Sequence, residues 1–245
     1  MPPERKDKIG FGNLTLIQKP GDFCYGVDAV IISDFAAKCK KPIKKAADMG
    51  TGTGIIPLIL SYKTQIPEIF GFEIQKDALA LAKRNVSGNG LDNRIKIVDC
   101  DIKNIPGNLC GTMDMVVTNP PYVEVGSGLK NPDVPMAGAR HEITADMNDF
   151  FNAAAKLLKN KGDFYMVHRP SRLTDLLFFA RKNGLEPKEM RLVCPDKEKT
   201  ANIVMLHCTK GGGKELKILK PLFIYDMVGN YSREIMEIYE RECQK

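Results

Sequence analysis

From residue 46 to residue 208 short apolar runs alternate with longer segments whose apolar positions recur every three or four residues. Parallel strands can be joined only by a crossover that covers a sheet face, so this repeat demands an α/β fold, a doubly wound, mostly parallel sheet with helices on both faces. Parallel strands are predicted at 46–49, 68–73, 95–101, 113–118 and 164–167, and residues 190–193 and 202–208 close the sheet edge as an antiparallel pair, seven strands in all. Helices are expected at 55–60, with Pro57 in the first turn, at 77–86, from Asp146 to Gly162, and from a Ser171 cap to Asn183-Gly184. Ahead of this core, residues 13–18 alternate like a strand, and a turn at 19–22 suggests a hairpin returning through 23–25, followed by a helix capped by Asp28. Behind it, the glycines at 211–213 read as a hairpin loop before a short strand at 222–225 and a short helix ending at Glu240.

The first strand runs into Asp48-Met49-Gly50-Thr51-Gly52-Thr53-Gly54, and glycines at this spacing let a ligand approach the backbone closely. Glu73 ends the next strand, where a carboxylate can accept both hydroxyls of a ribose, and Asp101 ends the third, where it can accept from an adenine amino group. One acid at a strand end is ordinarily a cap or a solvated charge, but three on successive strands describe a nucleoside site. The leading Asp48 would repel a pyrophosphate and suits an ammonium or an ordered water, and no Gly-Lys-Ser/Thr follows to cradle a triphosphate. S-adenosylmethionine is the cofactor these residues favour.

The fourth strand delivers Asn119-Pro120-Pro121-Tyr122. Proline carries no amide hydrogen and holds the residue before it extended, so the Asn119 side-chain oxygen and the Pro120 carbonyl can converge on one amino group while Tyr122 offers a flat stacking face. An exocyclic base amine is a weak nucleophile because its lone pair is conjugated with the ring. Two acceptors on its hydrogens favour rehybridisation and aim the lone pair at a methyl donor, without a strong base. Read alone, the tetrapeptide is equally a Pro-Pro loop.

Composition narrows the alternatives. Seven cysteines with no Cys-x-x-Cys and only three histidines argue against a zinc site or a disulfide framework, so no metal is expected. The net charge of +6 suits a polyanion without requiring one. No leader-like or membrane-length apolar run occurs, so a soluble, cytoplasmic protein is expected.

Together, Asp48-x-Gly-x-Gly-x-Gly54, Glu73, Asp101 and Asn119-Pro120-Pro121-Tyr122 resemble the class I S-adenosylmethionine-dependent amino-methyltransferases over residues 23–208. Phe23-x-Tyr25-Gly26-Val27-Asp28-Ala29-Val30, Ala139-Arg140-His141-Glu142, His168-Arg169-Pro170 and Lys220-Pro-Leu-Phe-Ile-Tyr225-Asp226 extend the likeness to the bacterial tRNA(Val) adenine-N6 methyltransferase family. That resemblance implies a Rossmann-like domain over 1–245, with an amino-terminal hairpin extension at 1–25, a catalytic core at 26–210 and a carboxyl-terminal extension at 211–245. It further implies a tRNA partner methylated on an adenine beside the anticodon, and a monomer or weak homodimer. Asn119, Pro120 and Tyr122 would be catalytic. The cofactor would be held by Tyr25, Asp28, Asp48, Gly50, Thr51, Gly52, Gly54, Glu73, Asp101, Ile102 and Asn119. Pro121, Tyr122, Arg140, His141, His168 and Arg169 would meet the substrate. Several of these have plain structural readings: Arg140 beside Glu142 or Asp146 as a loop ion pair, His168 and Arg169 as a surface pair, Tyr25 as a packed aromatic. A release-factor glutamine or a ribosomal RNA base would serve the same acceptor logic, and a cofactor-binding RNA module without catalysis is the rival from another class. The absence of a separate helical domain before residue 46 argues against the glutamine reading.

Overall fold

A computed structural model of the chain describes residues 4–19, 25–121 and 145–240. An antiparallel pair, β1 (Arg5–Lys8) and β2 (Thr15–Gln18), precedes α1 (Val27–Ala37). The alternating core then runs β3 (Lys45–Met49), α2 (Ile55–Lys63), β4 (Glu68–Glu73), α3 (Lys76–Gly88), β5 (Ile95–Asp99), β6 (Met113–Thr118), α4 (Met147–Leu157), β7 (Leu158–His168), α5 (Leu173–Lys182), β8 (Leu185–Cys194) and β9 (Ile203–Lys210). Two-residue strands β10 (Lys217–Ile218) and β11 (Leu222–Phe223) and the helix α6 (Arg233–Ile238) complete it.

The main sheet has nine strands in the order β10-β8-β9-β7-β6-β3-β4-β5, with β11 also on β8. Strands β3 to β7 pair in parallel, as the alternation demands. From β3 the chain winds outward through β4 and β5, then returns to the other side of β3 with β6, so the strand order reverses between β3 and β6. In open α/β sheets the crevice above the carboxyl ends at that reversal is where ligands bind.

Side-chain alternation along each strand splits the core between the two faces. Ala46, Met115, Val117, Tyr165 and Val167 pack toward α1, α2 and α6, whereas Ala47, Met49, Val116, Phe164 and Met166 pack toward α4 and α5.

Several sequence expectations are corrected. Among the described residues the sheet has nine strands rather than seven: β10 is too short to produce a pattern, and β11, which falls within the short strand expected at 222–225, joins the sheet beside β8. The antiparallel strand is not at the edge: β9 lies between β7 and β8, so β8 runs parallel to the core outside it. Strand β2 pairs with the preceding β1, its turn falling where Gly10 and Gly12 adopt positive φ, and of the expected turn at 19–22 and return through 23–25 residues 20–24 lie outside the described residues. The N-cap residue of α1 is Gly26 rather than Asp28, which lies in the first turn, where a carboxylate favours the helix dipole. Ser171 belongs to a 3-10 turn at Pro170–Arg172, and α5 starts after it. Helix α4, closed at its start by the Asp146–Asp149 capping box, ends at Leu157 rather than Gly162. The chain turns straight into β7 there, and Gly162 is needed for a different reason: a Cβ on it would stand 3.0 Å from the Lys159 carbonyl oxygen and 2.9 Å from Leu158 Cδ2.

Candidate active site

The loop after β3 is shaped by its glycines. Gly50, Gly52 and Gly54 have φ of +69°, +56° and +85°, a region that side chains strain to reach. The Gly50 and Thr51 amides both donate to the Phe72 carbonyl, at 3.0 and 2.9 Å, which draws the loop over the end of β4. A Cβ on Gly52 would meet nothing within 4 Å, so this glycine faces open space.

Glycine also matters beneath the loop. A Cβ on Gly71 of β4 would lie 2.9 Å from Thr51 Oγ1 and 2.8 Å from Ile97 Cδ1, so only glycine leaves the Thr51 side chain its place. Among the described residues Thr51 Oγ1 and both carboxylate oxygens of Asp48 are buried and make no hydrogen bond of good geometry, the Thr51 hydroxyl standing near the Asp48 carboxylate without closing one. Burial pushes the Asp48 carboxyl up to about 7, the Glu73 charge adds to the rise, and the nearby Thr51 hydroxyl opposes it without cancelling it. A buried acid left unpaired is costly, and it suits a group that brings its own N–H donors and positive charge.

Glu73, also buried, accepts three backbone amides: Gly52 at 2.8 Å on Oε2, and Ile74 and Gln75, each at 2.9 Å, on Oε1. A carboxylate offers about four lone-pair positions, so this arrangement leaves room for about one ribose hydroxyl, not the two expected, unless the Gly52 amide gives way. Asp101 stands just beyond β5 rather than within it. It caps the 3-10 turn Ile102–Asn104 by accepting the Lys103 amide at 2.9 Å, and Ile102 is buried beneath it.

Register brings the Asn119 motif to this loop. Met49 pairs with Thr118, and the buried Thr118 hydroxyl donates to the Met49 carbonyl at 2.7 Å, tying the last residue of β3 to the last residue of β6. Asn119 and Gly50 are thus the first residues beyond two bonded strand ends. Asn119 is half-buried, Pro120 buried and Pro121 exposed. Neither Thr118 nor Gly71 was singled out in the sequence. A hydroxyl directly before the motif and a glycine inside a strand were the available signals, and neither means anything until strand register is known.

Tyr25 is half-buried, packs on the core and donates its amide to Gln18 Oε1 at 3.2 Å; Asp28 is half-buried in the first turn of α1. His168 ends β7 and is buried, and desolvation reinforced by Arg172 lowers it to about 4. Its Nδ1 accepts the Arg169 amide at 2.8 Å, which leaves the neutral ring with one N–H at Nε2 and no charge to offer a phosphate. Arg169 is exposed, with Nη1 donating to the Asn202 carbonyl at 3.2 Å. Tyr122, Arg140 and His141 lie outside the described residues. Among the described residues there is no group of three His, Cys, Asp or Glu side chains that could hold a metal ion, and no helix long and apolar enough to cross a membrane.

Residues 13–175 match the family model of the methyltransferase small domain. The chain belongs to that family. Among the relatives of this methyltransferase small domain protein are two named tRNA1(Val) (adenine(37)-N6)-methyltransferase. The one from Tolumonas auensis is 29% identical over 182 residues, 74% of each chain, and the one from Porphyromonas gingivalis is 27% identical over 224 residues, 88% of this chain and 86% of the relative. Solved structures share the fold. A predicted O-methyltransferase from Agrobacterium tumefaciens superposes with a TM-score of 0.70 at 16% identity, covering 87% of this chain and 95% of that one. Geranyl diphosphate C-methyltransferase from Streptomyces coelicolor superposes with a TM-score of 0.56 at 12% identity, covering 75% of this chain and 80% of that one.

Proposed function

We propose that this protein transfers a methyl group from S-adenosylmethionine to the exocyclic N6 of an adenine in tRNA, beside the anticodon of tRNA(Val). The observation that carries the chemistry is the Thr118–Met49 hydrogen bond, which fastens the strand bearing Asn119 to the strand bearing the glycine loop. The choice of acceptor is supported by the activity in the names of the relatives that match most of the chain.

The residues present fit the cofactor. Asp48 and Thr51, buried and unpartnered, would receive its ammonium or a water that the ammonium holds. Glu73 would take a ribose hydroxyl, Asp101 and Ile102 would line the adenine end, Gly50, Gly52 and Gly54 keep side chains out of its way, and Tyr25 and Asp28 would close the pocket. Bound there, S-adenosylmethionine supplies an electrophilic methyl group on a sulfonium. Asn119 and the Pro120 carbonyl would accept the two hydrogens of the target amine and so orient its lone pair. Tyr122 would stack on a base taken out of its loop, since a base amine cannot be reached while stacked. Pro121, Arg140, His141 and Arg169 would contact the RNA, and His168 would donate from Nε2.

One of the two clusters of buried side chains joins residues from Ile9 to Tyr239, which supports treating residues 1–245 as a single domain, and we infer that it acts as a monomer or weak homodimer in the cytoplasm.

The test offers labelled S-adenosylmethionine with unmodified tRNA, ribosomal RNA and protein in separate reactions, followed by mass spectrometry of the digested tRNA. Label in tRNA as N6-methyladenosine is expected, and label confined to protein would sink the proposal. In parallel, Asn119→Ala is expected to abolish transfer while leaving cofactor affinity near that of the wild type.

A further inference from the structure

Among the described residues strand β2 is paired on one side only, by β1, and no strand lies against its other edge. Asn85 of α3 and Asn89, the residue that caps its carboxyl end, lie four positions apart and so on one side of it, and they take the place of a neighbouring strand. Asn89 Oδ1 accepts the Thr15 amide at 2.9 Å and its Nδ2 donates to the Thr15 carbonyl at 2.8 Å. Asn85 does the same for Ile17, Oδ1 accepting the amide at 2.7 Å and Nδ2 donating to the carbonyl at 3.1 Å. The two then diverge. Asn89 spends its second Nδ2 hydrogen on its own helix, at the Asn85 carbonyl. Asn85, only 2% exposed, donates its second hydrogen to the Thr53 carbonyl of the glycine loop at 2.9 Å.

The hairpin in turn is tied to the Tyr25 segment. Gln18, the last residue of β2, is buried, donates from Nε2 to Asp7 Oδ2 at 2.9 Å and accepts the Tyr25 amide on Oε1 at 3.2 Å. A continuous line of hydrogen bonds and backbone therefore runs from Thr53 through Asn85 and Ile17 to Gln18 and Tyr25. We propose that Asn85 is a positioning residue for the cofactor, coupling the amino-terminal hairpin, and with it the Tyr25 segment, to the glycine loop. This rests on the cofactor reading above. A primary amide is the group the place requires, because the task takes one acceptor and two donors at a single buried point.

Asn89 supplies the internal control, since it docks the same hairpin without touching the loop. Cofactor dissociation constants are measured by calorimetry, well below each variant's melting temperature, for wild type, Asn85→Ala, Asn89→Ala and the distant core variant Leu185→Ala. Asn85→Ala is expected to weaken cofactor binding about tenfold while kcat at saturating cofactor stays within about twofold. Asn89→Ala and Leu185→Ala are expected to lower the melting temperature and to leave cofactor affinity within about threefold. Where Asn85→Ala does not fold, Asn85→Asp replaces it, keeping an oxygen for the Ile17 amide and removing the donor to Thr53. An affinity loss no larger than that of Asn89→Ala, or none, overturns the proposal. A wild type that binds no S-adenosylmethionine refutes the cofactor reading instead. Hydrogen exchange at the Gly54 amide without cofactor then decides the coupling: faster exchange in Asn85→Ala than in Asn89→Ala upholds it, and equal exchange overturns it.

Discussion

Replacing Asp48 with asparagine removes a charge the fold holds at a cost, so the variant is expected to be more stable than the wild type in the absence of cofactor and to bind cofactor worse. The size of the effect follows from the burial of Asp48. Its carboxyl is raised from 3.8 to about 7 in the folded chain. A raised carboxyl contributes stability that is fully present below its unfolded value and is lost as pH rises through the folded one. Each pH unit between the two values is worth about 1.36 kcal/mol, so Asp48 costs the fold about 4 kcal/mol above neutrality, where the folded chain holds it ionised, and about 1.6 kcal/mol near pH 5, where the folded chain must keep it protonated.

Urea unfolding of both proteins without cofactor, at about pH 5 and about pH 8, isolates Asp48 together with its coupling to Glu73, because the more distant titrations are common to the two. The stability difference between Asp48→Asn and wild type is expected to grow by about 3 kcal/mol between those conditions, in favour of the variant. Cofactor is expected to reverse the order at pH 8, since only the carboxylate can pair with an ammonium. A stability difference that does not change with pH would refute the buried, unpartnered carboxylate. A variant that binds cofactor as tightly as wild type would refute the assignment of the ammonium to it.

Thr118→Val keeps the shape and deletes the tie to the Met49 carbonyl; about 1 kcal/mol of stability and about tenfold in kcat are expected to be lost, with cofactor affinity unchanged, and Thr118→Ser should restore kcat in steady-state assays. Gly71→Ala drives a methyl group against Thr51 and Ile97, and is expected to cost about 1–3 kcal/mol in urea melts and to weaken cofactor binding, whereas a silent substitution would contradict that packing. Asp163, buried and bonded to His207, Lys41 and Thr209, is held down at about 2, opposed by burial and lowered chiefly by His207. Its contribution is present above 3.8 and lost as pH falls through about 2, so Asp163→Asn should cost about 2 kcal/mol at neutral pH and progressively less in acid.

What the sequence revealed and what it hid divide along one physical line. The parallel core, the placement of Asp48, Glu73 and Asn119 at strand ends and the loop glycines were legible because each depends on local periodicity or on a backbone conformation that few residues reach. The insertion of β9 inside β8 was not, since both strands carry apolar residues suited to either place. The pairing of β2 with β1 was hidden by the charged Arg5–Lys8 segment, which has no apolar alternation to announce a strand. The same limit governed the site. Asp48 could be read as an acid facing a ligand, but that both its oxygens lack a partner depends on Thr51, Gly71 and Glu73 arriving from three separate segments. Asn119 could be read as an acceptor, yet the strand end that carries it is fastened to the end of β3 by the hydroxyl of the residue before it, bonding across to Met49. Residues that perform chemistry announce themselves by type and spacing. Those that the proposals above assign to holding them in position, Thr118, Gly71 and Asn85, are ordinary residues whose meaning comes from register and helix docking, and no local pattern marks them.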